Sequence, residues 1–105
     1  MTTTSGRVRV LLYARCPDES PDAVEEAYHA ISRDLRGTPG LVGNELLQST
    51  AQPQEFVVMS EWESLAAFRS WESGAAHRSA TSPLRPFQSA RPAGPFGIYT
   101  VSAAY

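Results

Sequence analysis

The sequence predicts an α+β fold of the ferredoxin-like kind, β-α-β-β-α-β, with a four-stranded antiparallel sheet and both helices on one of its faces. Three patterns carry that prediction. Residues 7–15, 41–50, 55–62 and 96–103 read as strands, by alternation or by short apolar runs. Two stretches between them, starting near residues 21 and 65, space their apolar residues as helices do. A connection of hairpin length, residues 51–54, makes the second and third strands antiparallel neighbours.

Taken in order, the first strand sets Val8, Val10, Leu12 and Ala14 against Arg7, Arg9, Leu11, Tyr13 and Arg15. One face is wholly apolar; the other is apolar only toward its middle. Residues 16–20 turn the chain. Pro21 near the first helical position, then Asp22, Glu25 and Glu26, suits a helix N-terminus, where free backbone N–H groups favour negative charge. Val24, Ala27, Tyr28, Ile31 and Leu35 form the helix stripe. Arg33 and Arg36 complement the far end of the dipole, and Gly37 stops the helix. Thr38-Pro39-Gly40 turns into the second strand, whose Gly43 marks a bulge or a close backbone approach. The third strand places Phe56, Val58, Ser60 and Trp62 on one face. Ser64 is the expected N-cap of the second helix, with Leu65, Phe68, Trp71 and Ala75 as its stripe. Residues 79–95 form a proline-rich crossing, long enough to be a lid or a short helix joined to extended chain.

Composition narrows the function. One domain is expected over residues 7–105, after a loose polar tail at residues 1–6. With 42% hydrophobic and 19% charged residues, the chain is globular rather than disordered. A net charge of −2 and the lack of a basic run argue against a nucleic-acid partner. Cys16 stands alone, which excludes an internal disulfide and a multi-cysteine metal site. Adding the two histidines still gives no metal-ligand spacing. No stretch approaches the roughly 18 apolar residues of a membrane span. The N-terminal apolar run is broken by Arg9 and is not a signal peptide, so a cytoplasmic home is expected. There is no phosphate loop, dinucleotide fingerprint or nucleophile elbow.

Placing both helices on one face leaves Leu11, Tyr13, Val57 and Met59 bare on the other. Such a surface calls for a partner. Two copies packed sheet to sheet, a dimeric α/β barrel, are the expected solution.

Three segments bear a resemblance. Thr38-Pro39-Gly40-Leu41, the run EWESLAAFRSW from Glu61 to Trp71, and Ala76-His77-Arg78 are similar to the antibiotic biosynthesis monooxygenase (ABM) family, over roughly residues 7–103. The resemblance implies a dimeric barrel with a pocket between the helices and the sheet of each subunit. For several members it also implies oxygenation of polycyclic aromatic polyketides without metal, flavin or haem. On that resemblance, Trp62 matches a strand-end tryptophan that lines the pocket. Phe68 stands where such members tend to carry tyrosine. Val58 stands where they place an asparagine that holds substrate oxygens, which leaves Asn44 as the candidate replacement. The haem-degrading branch places an asparagine on its first strand, and the first strand here has none.

Oxygenation without a cofactor needs a base, a dry pocket and hydrogen-bond donors where negative charge develops. His77 is the natural base by its ordinary pKa; its alternative reading is a surface histidine near a helix end. Trp62, Phe68 and Trp71 are either aromatic pocket walls or ordinary core. Arg85, like Arg78 and Arg91, can hold an anionic ring oxygen. Tyr99 either donates into the pocket or faces the dimer seam, and His29 is read as solvated. Three functions fit: an oxygenase using O₂ on a polycyclic aromatic or quinol-like substrate, a cyclase of the same fold, and a non-catalytic ligand-binding dimer.

Overall fold

The computed structural model describes residues 6–74, 82–88 and 96–105. Its elements are β1 (Val8–Arg15), α1 (Ala23–Leu35), β2 (Leu41–Gln48), β3 (Glu55–Trp62), α2 (Leu65–Glu72), a 3₁₀ turn (Ser82–Phe87) and β4 (Phe96–Thr100). The strands lie in the order β2-β3-β1-β4, and every neighbouring pair is antiparallel. This is the expected ferredoxin-like topology, with β3 inserted between β1 and β2. Among the described residues, no helix is long and apolar enough to cross a membrane.

Register decides which side chains meet. Val8, Val10, Leu12 and Ala14 of β1 lie level with Trp62, Ser60, Val58 and Phe56 of β3. Those residues share the face that the helices cover. Val24, Ala27, Ile31 and Leu35 of α1 pack there with Ala14, Cys16, Phe56 and Leu84. Val8, Val10 and Trp62 pack with Phe68 of α2. Trp71 touches both groups and joins them into one core.

The helix ends follow the sequence, with two differences. Ser64 caps α2 as expected, its Oγ accepting from the Ala67 N–H at 3.1 Å. Leu65 does not join the buried stripe; as the first residue after the cap it is 41% exposed. Ala75 lies outside the described residues. Helix α1 begins at Ala23 rather than at Pro21, because Pro17–Ala23 is folded into two turns, Ser20 N–H to Pro17 O and Ala23 N–H to Ser20 O. Strand β2 stops at Gln48, where Ser49 N–H bonds Glu55 O and Gln48 Nε2 donates to Pro53 O to close the hairpin. The expected bulge is present between Leu41 and Gly43: Leu41 pairs with Trp62 and Gly43 with Glu61, so Val42 is the extra residue.

Gly40 is required twice over. Its φ is +82°, and a Cβ there would collide with the Cβ of Ala67 on α2. Its carbonyl also accepts from Glu63 N–H at 2.8 Å, which ties the turn to the strand–helix joint. Gly37 has a similar φ of +80° but open space around the equivalent atom. Gly40→Ala is therefore expected to cost about 2–4 kcal/mol, against about 1–2 kcal/mol for Gly37→Ala. Urea unfolding of the two variants checks this; equal midpoints would mean that the close approach to Ala67 carries no weight.

The crossing from α2 to β4 adopts the short-helix alternative where it is described. Leu84 in the 3₁₀ turn is completely buried, and Gln88 forms a bridge with Ala14.

Candidate functional site

A cavity of about 170 Å³ lies on the helix side of the sheet. Its floor comes from Val10 and Leu12 of β1, Val58 and Ser60 of β3, and Asn44 of β2. Ile31, Ser32 and Leu35 of α1 and Phe68, Trp71 and Glu72 of α2 form the roof. Leu84, Arg85 and Gln88 close one side, and Phe96 of β4 completes the wall. The lining is mostly apolar, which suits a flat hydrocarbon body with few polar groups.

Asn44 reaches this floor because of the bulge. Counting from Leu41 on the helix face, strict alternation sends residue 44 to the opposite face. The extra residue at Val42 resets the count, so Asn44 lies level with Ser60. Its Oδ1 accepts from Ser32 Oγ at 3.1 Å, and its backbone carbonyl accepts from the Tyr28 hydroxyl at 3.3 Å. Ser60, Asn44 and Ser32 thus form a short polar edge beside the apolar floor of Val10, Leu12 and Val58.

The aromatic residues divide by depth. Trp62 has no exposed surface and is not part of the cavity lining. It packs behind Phe68, edge to face at 5.5 Å, and against Trp71, tilted at 5.2 Å. Its indole N–H, which a buried tryptophan must satisfy, donates to Ser60 Oγ at 3.0 Å. Phe68 and Trp71 of α2, with Phe96 of β4, are the rings that line the cavity.

The structure brings together Asn44, Phe68, Trp71 and Arg85 of the residues expected from sequence. Tyr99 does not join them. It is paired in register with Arg9, whose side of the sheet faces away from the helices, and it is 55% exposed. Tyr99 thus lies on the open face of the sheet. His77, Arg78 and Arg91 lie outside the described residues. His29 is on the solvent side of α1, beside Glu25 at 3.7 Å, as expected.

Ser60, Ser32 and Glu72 were not candidates from sequence. A lone hydroxyl at Ser60, in the face Phe56-Val58-Ser60-Trp62, is the signal that could have found the first. Glu72 is the carboxylate of the cavity wall, its Oε1 accepting from Arg69 Nη1 at 2.8 Å. Among the described residues, no three acidic, histidine or cysteine side chains gather as a metal site would need.

Comparison with known proteins agrees with the fold. The model of the family described as antibiotic biosynthesis monooxygenase matches residues 7–82. Protein SchA of Streptomyces halstedii is 33% identical over 81 residues, 77% of this chain and 21% of that protein. A 42.8 kDa protein in the whiE locus of Streptomyces coelicolor is 37% identical over 62 residues, 59% of this chain and 16% of that protein. The chain thus spans about a fifth or less of the curated relatives it matches. Among solved structures, a variant of SnoaB, a cofactor-independent oxygenase from Streptomyces nogalater, superposes with a TM-score of 0.78 at 17% identity, covering 95% of this chain and 97% of that one. A conserved protein from Methanosarcina mazei superposes with a TM-score of 0.76 at 11% identity, covering 93% and 95%. At these identities the structures speak for the fold.

Proposed function

Given that this chain belongs to the antibiotic biosynthesis monooxygenase family, we propose that it is a cofactor-independent oxygenase of a polycyclic aromatic, polyketide-like substrate in secondary metabolism. One observation carries the reading: an aromatic-walled, mostly apolar cavity between helices and sheet, with the polar edge Ser32–Asn44–Ser60 on its sheet side and Glu72, Arg85 and Gln88 at its rim. An anthrone, with a CH₂ between two aromatic rings and opposite a carbonyl, is a weak carbon acid. Removing one proton gives an electron-rich carbanion, which passes one electron to O₂. The resulting radical pair combines to form a C–O bond. Loss of water from that hydroperoxide leaves a carbonyl, so that CH₂ and O₂ become C=O and H₂O.

Each need of this reaction has a candidate. The apolar walls exclude water and keep the anion reactive. Asn44 supplies a hydrogen bond to the ring oxygen where charge develops. Glu72 and His77 are the two candidate bases. In this reading the active unit is a homodimer joined through the open sheet faces, with the cavities on the far sides.

Oxygen uptake by the metal-stripped protein with anthrone tests the reading. Uptake above the autoxidation rate that survives chelators is expected, and uptake equal to autoxidation sinks it. Glu72→Gln and His77→Ala then separate the bases: the variant at the working base should lose about a hundredfold or more in kcat. Val58, an apolar residue on the cavity floor, favours a second reading, ring closure of a polyketide-like chain without oxidation. Product formed under argon would establish that reading instead.

A further inference from the structure

We propose that Ser60 is the hydrogen-bond donor that recognises a ring oxygen of the ligand, and that Trp62 acts through it as a positioning residue. The ligand chemistry is an acceptor oxygen, carbonyl or phenolate, on a flat fused-ring body. The proposal rests on the aromatic-substrate reading above and names the contact that selects such a substrate.

The direction of the Ser60 hydroxyl follows from its partner. An indole N–H donates and cannot accept. The Trp62 Nε1–H occupies one lone pair of Ser60 Oγ at 3.0 Å. Trp62 is fully buried and packed behind Phe68 and Trp71, so this bond has no water competing for it. The Ser60 proton cannot point back at the indole, and no acceptor among the described residues takes it. Ser60 lines the cavity. A donor left unmade in an apolar wall is costly, and a ligand oxygen would satisfy it.

Asn44 presents the matching group. It is the register partner of Ser60, and opposed residues on antiparallel strands hold their Cβ atoms about 4.5–5.5 Å apart. Its Oδ1 is engaged by Ser32, which directs the amide nitrogen, a pure donor, away from that bond. Two donors on adjacent strands therefore face one cavity whose remaining floor is Val10, Leu12 and Val58. Such a site prefers an oxygen acceptor over a hydrocarbon of the same shape.

The test compares anthraquinone-2-sulfonate with anthracene-2-sulfonate, which differ only by the two ring carbonyls, using tryptophan fluorescence to follow binding. The parent protein should prefer the quinone. Ser60→Ala should weaken quinone binding about five- to tenfold and leave the hydrocarbon within about twofold, while Ser60→Thr should retain the preference. Trp62→Phe keeps a ring in the core but frees the hydroxyl; the quinone-to-hydrocarbon ratio, which general loosening does not move, should fall about threefold. Equal weakening of both ligands in Ser60→Ala, an unchanged ratio, or a parent that binds both equally or neither overturns the proposal. A parent that takes up no oxygen yet keeps the Ser60-dependent preference overturns the oxygenase reading and leaves the donor in place.

Discussion

Leu84→Ala is expected to lower the unfolding free energy by about 2–5 kcal/mol, which for a domain of this size is roughly 10–30 °C in Tm. Leu84 has no exposed surface, although it sits in a crossing between helix and strand where solvent exposure is the rule. It belongs to the packed group of Val24, Ile31 and Leu35 from α1 and Ala14 from β1, and it also closes one side of the cavity. Pro83 and Pro86 stiffen the turn that presents it. Gln88 bridges to Ala14 just beyond. The crossing is thus part of the core at this point, and truncating Leu84 opens a void that α1 and the sheet cannot both collapse into. Leu84→Met, close in volume, should cost under about 1.5 kcal/mol. Calorimetry reads the stability, and anthraquinone-2-sulfonate binding reads the wall. A Tm within about 5 °C of the parent, with ligand affinity intact, would show that the turn is a removable cover.

Much of the scaffold was legible because it rests on local chemistry. The alternation of β1 and β3, the Ser64 cap and the Gly37 stop depend on residues within a few positions of each other, and the structure has them. The site was less legible because its parts depend on register. Asn44 faces the cavity only because a bulge resets the alternation of β2; Gly43 marks the place, but a strand glycine signals a close backbone approach equally well, so the parity of Asn44 stays open until the pairing is seen. Tyr99 lies away from the cavity because the β1–β4 pairing puts it level with Arg9. Trp62 could be read as pocket wall or as core, and it is core because α2 places Phe68 and Trp71 against it. Leu84 is a single leucine between prolines, with no period to mark it as core. The polar edge rests on two side-chain bonds, Ser32 to Asn44 between α1 and β2, and Trp62 to Ser60 within β3, with the β2–β3 register setting Asn44 level with Ser60. The first links residues twelve apart in sequence and a strand-face count that fails.

Met59→Glu is expected to convert the proposed homodimer into monomers. Met59 lies on β3, level with Leu11 of β1 and Glu45 of β2, on the face that the helices leave open. Around it are Tyr13 and Val57, with Leu47 44% exposed on one side and Tyr99 on the other. The Tyr99 ring lies back over Gly97, where a Cβ would come within 2.7 Å of its Cε2, and so widens the apolar surface over β4. Charges of both signs accompany this surface: Arg9 and Arg7 approach Glu61 at 4.0 and 3.2 Å, and Glu45 stands on the neighbouring strand. An apolar middle with mixed charges can match a copy of itself under a two-fold rotation. A carboxylate introduced at Met59 in both copies would be desolvated beside Glu45 and Glu61, with Arg7 and Arg9 already shared with Glu61, a penalty of several kcal/mol, or about a thousandfold or more in dimer affinity. Leu65→Glu, an exposed change on the helix side, should leave the dimer unchanged. Sedimentation at about 50 µM decides between them, and a parent protein that sediments as a monomer there removes the dimer from the proposal. The cavity lies on the opposite side of the sheet, so Met59→Glu should keep quinone affinity within about threefold; a larger loss would mean that pairing of the sheets holds the pocket floor in place.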